Sequence, residues 1–468
     1  MRFRVSVHER RRRGAALLCA ALLACGWLAF AREAGAQLTR RAPARRPNII
    51  MIVADDLGYG DLGSYGQRFI RTPNLDRMAR AGLRFTDAYA ASPVCAPSRA
   101  SLMTGQHQGH ATIRGNMGRN NERVPLRAED VTIAEVLQAA GYRTGVIGKW
   151  GLGEPGTTGI PTRQGFDYFF GYLNQNHAHN YYPDYLWRND ARVELPRGTY
   201  SHDLFTREAL DFIRREAAKP FFLYLAYTLP HANNELTRQT GNGMEVPSDA
   251  PYTREPWSPQ QRNYAAMVTR LDADVGRVLA LLRELRLDEE TLVVFTSDNG
   301  PQGRDEGGYD QTRFDSNGPF RGLKRELYEG GIRVPLVVRW PRRVRAGAVS
   351  AYPLTLCDLL PTAAALAGAR VPVGVDGVSA LPVLSGRRAP RREYLYWEFH
   401  EGGFAQAVRL GRWKAVRKGG GGAVELYDLQ TDIAEAHDLA ASHPALVRRA
   451  AEIMRREHVQ SEDWPVGR

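Results

Sequence analysis

Cysteine is nearly absent from this chain: there are four among 468 residues, and two of them, Cys19 and Cys25, fall within the first 36. Cys95 and Cys357 remain, which excludes a disulfide framework and leaves at most one bridge between them. Also missing are a basic helix with interleaved aromatics, any nucleic-acid motif, internal repeats and low-complexity tracts. The Arg-rich surface therefore reads as solvated, and no nucleic-acid partner is expected. The formal charge of +12 overstates the basicity of the remainder, because residues 1–36 hold seven Arg and two acidic residues; without them the charge is +7. That balance suits an anionic substrate.

The amino terminus has the three regions of a secretory signal peptide: the charged R-F-R-V-S-V-H-E-R-R-R-R-G, the apolar Ala15 to Ala31, and A-G-A before Gln37. Cleavage after Ala36 is expected, with export to a periplasmic or secreted location and no stable membrane insertion afterwards. A lipoprotein-type site ending at Cys25 and an uncleaved anchor are the two alternatives. The rest is long enough for one large domain with an appendage: a domain over 37–385 and a smaller C-terminal subdomain over 386–468.

Residues 47–56, P-N-I-I-M-I-V-A-D-D, form a continuous apolar run of strand type, as in a strand buried on both faces of a parallel sheet. Asp55 and Asp56 stand at its carboxyl end, the edge at which open α/β sheets bind ligands. A turn or cap role suits either Asp alone; adjacent carboxylates at a buried strand end repel unless a cation lies between them. T-L-V-V-F-T-S-D-N-G repeats the arrangement with Asp298 and Asn299. Oxygen donors from two strand ends suit a hard cation, and an amide among carboxylates favours calcium over zinc. Two further strands deliver Lys149, in G-K-W-G-L-G, and His231, in L-P-H.

Between these strands lie helical patterns. One is expected over 129–140, with Thr132 and Glu135 as a capping box; others over 203–216 and from Ser258-Pro259 onward. Residues 232–257 lack periodicity and read as a long loop. After about residue 385 short alternating strands take over, with glycines 419–422 as a hairpin turn and a closing helix near 443–457. The fold class is thus α/β: a large mixed, mostly parallel sheet sandwiched by helices, with a C-terminal α+β subdomain on an antiparallel sheet.

The chemical centre is S-P-V-C-A-P-S-R-A-S-L-M-T-G, Ser92 to Gly105. Pro97 fits the first turn of a short helix and Gly105 its end, so Cys95 would face a bound anion at the positive terminus with Arg99 one turn along. A lone cysteine is otherwise usually a small buried hydrophobe, the ordinary account of Cys357.

This motif resembles the signature of the sulfatase family, and P-N-I-I-M-I-V-A-D-D-L-G-Y-G-D resembles the family's opening motif. G-P-F-R-G-L-K-R-E-L-Y-E-G-G-I-R-V-P resembles its second long signature, and E-L-Y-D-L-Q-T-D its closing segment. The resemblance implies that Cys95 is converted to Cα-formylglycine by a formylglycine-generating enzyme, and that the hydrated aldehyde attacks sulfur with one hydroxyl and expels sulfate with the other. It implies a calcium ion held by Asp55, Asp56, Asp298, Asn299 and the modified Cys95. Lys149, Lys324 and Arg99 would neutralise the sulfate, and His231 would protonate the leaving alcohol. The substrate would be an aryl or carbohydrate sulfate. The departure is Gly151, where the family commonly has a histidine on the formylglycine hydroxyl; histidines of the 107–110 or 177–179 loops, or water, are the expected substitutes. Gln175, His177 and His179 are candidates for lining a sugar or aryl pocket, and Arg321 and Arg325 read as surface or rim charges. The alternatives are a phosphonate or phosphodiester hydrolase of the same superfamily, and a silent homologue that binds sulfated glycans with Cys95 unmodified.

Overall fold

A computed structural model describes residues 46–466, and the signal-peptide and Cys25 readings lie outside those residues. The strands are β1 (Asn48–Ala54), β2 (Leu83–Phe85), β3 (Ala88–Tyr89), β4 (Arg143–Lys149), β5 (Tyr168–Tyr172), β6 (Tyr185–Arg188), β7 (Ala191–Glu194) and β8 (Phe221–Ala226). They continue as β9 (Thr291–Ser297), β10 (Leu336–Arg339), β11 (Ala348–Ser350), β12 (Leu354–Thr355), β13 (Leu395–Phe399), β14 (Ala405–Leu410), β15 (Trp413–Lys418) and β16 (Val424–Asp428). The principal helices are α1 (Pro73–Arg80), α2 (Cys95–Thr104), α3 (Ile133–Ala139), α4 (Ser201–Glu216), α5 (Asn234–Thr240), α6 (Pro259–Glu284), α7 (Leu359–Ala367) and α8 (Pro444–Glu457).

Ten strands form one sheet in the order β11-β2-β10-β9-β1-β8-β4-β5-β6-β7. Its centre, β9-β1-β8-β4-β5, is parallel, whereas β10, β6 and β7 pair antiparallel. Period-two alternation explains why β1 is apolar throughout. Ile50, Ile52 and Ala54 face one core with α1, α4 and α6; Ile49, Met51 and Val53 face the other with α2, α3 and α7. The helices start where their caps direct. Thr132 and Glu135 close a capping box on α3, and Ser258 and Gln261 close one on α6, whose first residue is Pro259. The expected start at 129 is therefore early by about one turn, since α3 begins only at Ile133.

One expectation is corrected outright. The stretch 232–257 is not all loop, since α5 lies in it, capped by the Asn233 side chain and ended by Gly241 in the left-handed conformation. It buries no residue, so no apolar period marks it in the sequence.

The second sheet, β13-β14-β15-β16, is antiparallel. One face carries Trp397, Phe399, Ala407 and Val416 against Tyr89, Val94, Leu327 and Ile332 of the main body. The other carries Tyr396, Val408 and Leu426 against Ala450, Ile453 and Met454 of α8. From Pro47 onward the chain is one compact unit that contains both sheets. The small sheet thereby backs the segment 318–335, which returns to the main site.

Candidate active site at the carboxyl edge of the sheet

Four adjacent strands end at one edge, and each brings a polar side chain to it. Asp55 and Asp56 follow β1, Asp298 and Asn299 follow β9, Lys149 closes β4, and His231 lies five residues past β8. All are at least 98% buried. Asp56 is held at φ 62°, a strained conformation for a residue with a Cβ, and its N–H donates to Asp298 Oδ1 at 3.1 Å. The β1 and β9 termini are locked together by that bond.

Helix α2 enters this edge amino end first. Val94 is extended and Cys95 is the first helical residue. The Ala96 N–H, unsatisfied within the helix, donates to Asn116 Oδ1 at 3.1 Å. Gly105 ends the helix at φ 69°, with no room for a Cβ, which would lie 2.9 Å from Val375 Cγ1. The Cys95 thiol donates to Asp55 Oδ1 at 3.3 Å and lies 3.9 Å from Asp56 Oδ1. Burial pushes this thiol well above its ordinary pKa, with Asp55 adding to the rise. A thiolate nucleophile is therefore disfavoured here.

The cations are paired with the acids. Lys149 Nζ donates to Asp55 Oδ2 at 2.7 Å, and Lys324 Nζ donates to Asp56 Oδ2 at 2.8 Å. Arg99 is fully buried, with Nε 2.9 Å and Nη2 2.8 Å from Asp298 Oδ2 and Nη1 donating to the Lys149 carbonyl at 3.0 Å. Burial opposes ionisation of Asp55 and Asp56. Lys149 for the first, Lys324 for the second and His231 for both outweigh it, so both carboxyls sit below the usual range. Asp298 is pushed up to about 7, because burial, with Asp55 and Asp56 close by, exceeds what Arg99 returns.

His231 donates from Nδ1 to the Ala232 carbonyl at 2.6 Å, which turns Nε2 toward Lys324 Nζ, 3.3 Å away, and Asp56 Oδ2, 3.4 Å away. Burial depresses its pKa well below the ordinary value, against the pull of Asp56.

Asp55, Asp56, Cys95 and His231 bring ligand atoms within 4.8 Å of one another. Asn299 donates to Asp56 Oδ1 at 2.7 Å, yet its own Oδ1 is buried and has no hydrogen-bond partner. An orphaned buried acceptor among three carboxylates is the donor set a hard cation takes.

The expected metal ligands and sulfate-facing residues converge there, whereas the histidines of the 107–110 loop do not. Of the pocket candidates, His179 stacks on His231 at 4.7 Å, whereas His177 packs on Tyr172 and Tyr185. His107 and His110 lie beyond the far end of α2, paired with Glu457 and Asp376. Gly151, at φ 73°, has Gln175 against it: a Cβ there would lie 2.3 Å from Gln175 Nε2, which is buried and has no partner. Arg321, read as a surface charge, instead stacks over Tyr328 at 3.8 Å and donates to the Glu435 carbonyl, tying the 318–335 segment to the small sheet. Arg325 pairs with Glu306 at the rim.

Two site residues were not legible in the sequence. Glu306 accepts from Lys324 Nζ at 2.9 Å and lies in a single helical turn, Arg304–Gly307, too short to show a period. Asn116 lies in R-G-N, with no spacing that links it to Cys95. Cys357 is buried and free, as is Cys95, and no bridge joins them.

A carboxylate cluster at the amino end of a helix, with two lysines and a buried arginine, has the chemistry that suits a tetrahedral oxyanion ester. Residues 47–369 match the Sulfatase family model, and 321–458 match the model described as N-sulphoglucosamine sulphohydrolase, C-terminal. The N-acetylgalactosamine-6-sulfatase of Canis lupus familiaris is 35% identical over 422 residues, covering 84% of this chain and 76% of that protein. Arylsulfatase A of Homo sapiens is 35% identical over 418 residues, covering 80% and 75%. The crystal structure described as Ps i-CgsB in complex with k-i-k-neocarrahexaose superposes with a TM-score of 0.79 at 32% identity, covering 90% of this chain and 95% of that one. The chain belongs to the sulfatase family and is a sulfuric ester hydrolase.

Proposed function

We propose that this protein hydrolyses a carbohydrate or aryl sulfate ester with a formylglycine made from Cys95 and a calcium ion held by Asp55, Asp56, Asp298 and Asn299. The observation that carries the proposal is the convergence of Cys95 with carboxylates from β1 and β9 and with two buried lysines. When present, the formylglycine diol supplies the oxygen nucleophile and calcium the Lewis acidity toward sulfate. Soft thiol sulfur suits calcium poorly, which favours the modified residue.

The chain's own residues then have separate tasks. Lys149 and Lys324, which pair with Asp55 and Asp56, would be free to turn to the sulfate oxygens with those carboxylates engaged as calcium ligands. Arg99 holds Asp298 and the Lys149 backbone in place. His231 is oriented by the Ala232 carbonyl, and an entering anion favours its imidazolium form. Its proton, weakly held at Nε2, then passes to the leaving oxygen. Gln175 offers its unpartnered amide where the histidine missing at Gly151 would reach, as a hydrogen-bond donor rather than a base. That removes the motive for the silent-homologue reading. His179 and Glu306 border the alcohol side of the site.

Carbohydrate sulfates are favoured, because the matched relatives include an N-acetylgalactosamine-6-sulfatase and a protein crystallised with a neocarrahexaose. Residues 1–36 are proposed to direct export and to be removed, and the formylglycine-generating enzyme is the maturation partner. Among the described residues no helix is long and apolar enough to cross a membrane. Residues 386–468 act as a subdomain that braces the 318–335 segment.

The test is peptide mass spectrometry of residues 85–99 from active protein, with turnover measured on sulfated sugars, aryl sulfates and matched phosphate esters. An aldehyde at position 95, loss of turnover in Cys95→Ala, and preference for sulfate are expected. Full activity with only free cysteine at 95 would overturn the mechanism, and preference for phosphate esters would favour the alternative hydrolase.

A further inference from the structure

We propose that His107, His110, Asp376 and Glu457 form a second metal site, for zinc, at the opposite end of α2 from Cys95. Three distant segments meet there: the loop after Gly105, the stretch around Asp376, and the last residue of α8. The length of α2, about 15 Å for ten residues, separates this cluster from the catalytic edge.

The candidate ligand atoms lie close together. His107 Nε2 lies 3.1 Å from Glu457 Oε2 and 3.8 Å from Asp376 Oδ2, and His110 Nδ1 lies 2.9 Å from Asp376 Oδ1. One ring nitrogen of each histidine and an Asp376 oxygen lie within 4.8 Å of one another, and a tetrahedron with zinc–ligand bonds of about 2.0–2.2 Å has edges of about 3.3–3.6 Å, so these three draw together by about an ångström while Glu457, beside His107, swings in as the fourth. Two imidazoles with two carboxylates suit zinc rather than calcium.

Outer contacts are in place. The His107 N–H donates to Asp376 Oδ2 at 2.9 Å, and the N–H groups of Asp376 and Gly377 both donate to the Gly105 carbonyl at 3.0 Å. Tyr394 OH and Arg456 Nε donate to Glu457 Oε1, which leaves Oε2 facing His107. A cavity of about 180 Å³, bordered by His107, Asp376 and Glu457, gives an entry path.

Proton bookkeeping is explicit. The Gly109 N–H donates to His107 Nδ1, so the ion-free ring carries its proton on Nε2, toward Glu457. Asp376 holds His110 above its ordinary pKa by hydrogen bonding, although burial opposes this. Zinc binding moves the His107 proton to Nδ1, at the cost of the local Gly109 bond, and releases the His110 proton to solvent. The bound ion would staple the end of α8 to the loop that follows α2, independently of the chemistry at residue 95.

The experiment uses the full chain saturated with calcium, equilibrated with Zn²⁺, and read by elemental analysis, thermal unfolding and the absorption of the Co²⁺ form. The expected result is one zinc per chain, an unfolding temperature that rises with zinc, and tetrahedral Co²⁺ bands without thiolate charge transfer. His107→Gln and Asp376→Asn should each weaken zinc binding by more than about tenfold, whereas Cys95→Ala and Asp298→Ala should keep it. If either cluster variant misfolds, His110→Gln reads the same quantity. Failure of the wild type to take up zinc, or loss of zinc in Cys95→Ala with retention in His107→Gln, would overturn the site and leave two hydrogen-bonded His–carboxylate pairs. Neither result bears on sulfate hydrolysis.

Discussion

Arg99 is the residue whose removal has the most calculable consequence. Its guanidinium is fully buried, and two of its nitrogens lie within 3.0 Å of Asp298 Oδ2. Arg99→Met keeps much of the side-chain volume but strands the Asp298 carboxylate, which still accepts from the Asp56 N–H. Breaking a buried pair in this way costs about 3–5 kcal/mol, a large share of a total stability of about 5–15 kcal/mol. Asp298 can escape part of that cost by taking up a proton, since its carboxyl already sits at about 7. Removing Arg99 raises it further. A carboxyl raised in the folded state contributes stability at low pH and loses it as pH climbs through the folded value, so the deficit against wild type widens above pH 7, by up to about 1.4 kcal/mol per unit. Arg99→Met/Asp298→Asn removes both charges and should regain most of the loss while remaining inactive. The assay is urea unfolding, followed by fluorescence in calcium-free buffer, on either side of pH 7 for the two single variants and the double variant. A deficit under about 1 kcal/mol at every pH, or a double variant no more stable than Arg99→Met, would refute the reasoning.

Three further outcomes are expected. Chelation of divalent metal should abolish turnover and calcium should restore it, with Asp298→Ala inactive under both conditions; a chelated protein that turned over normally would remove the ion from the mechanism. Gln175→Ala should lower kcat by about 10-fold or more with little change in KM, the pattern of a donor used mainly in the transition state, and Gln175→Glu should not restore it; equal rates would mean the amide only fills space beside Gly151. Glu398 is held down to about 2 because the His400 and His458 hydrogen bonds and the Arg114 charge outweigh burial. A lowered carboxyl stabilises above its unfolded value of about 4.5 and loses that contribution as pH falls through about 2, so acid unfolding should show about 3 kcal/mol from this group that Glu398→Gln lacks.

The two kinds of site residue differ in how legible they are, and the difference is physical. Asp55, Asp298 and Lys149 are readable because a strand buried on both faces is apolar at every position and stops being so at its end. The charged residue that closes such a run then lies at the carboxyl edge of the sheet. Glu306 lies in a single helical turn and Gln175 in a loop, and no local period records that Lys324 Nζ will come within 2.9 Å of one or that the other will fill the space beside Gly151. Lys414 is illegible for a third reason. In W-K-A-V-R-K it sits among alternating charges that look solvated, yet it is fully buried, with its Nζ 2.8 Å from Glu329 and 3.5 Å from Glu435. Alternation reveals which residues share a face of a strand, not whether that face meets water or another charged segment. Here it meets the segment that carries Lys324: Glu329 also binds Arg333 at 3.0 Å, and its backbone N–H donates to Glu435 at 2.7 Å. The C-terminal sheet thus reaches the segment that carries Lys324 through buried ion pairs as well as through its apolar face, and the two together hold the 318–335 segment against the strand ends.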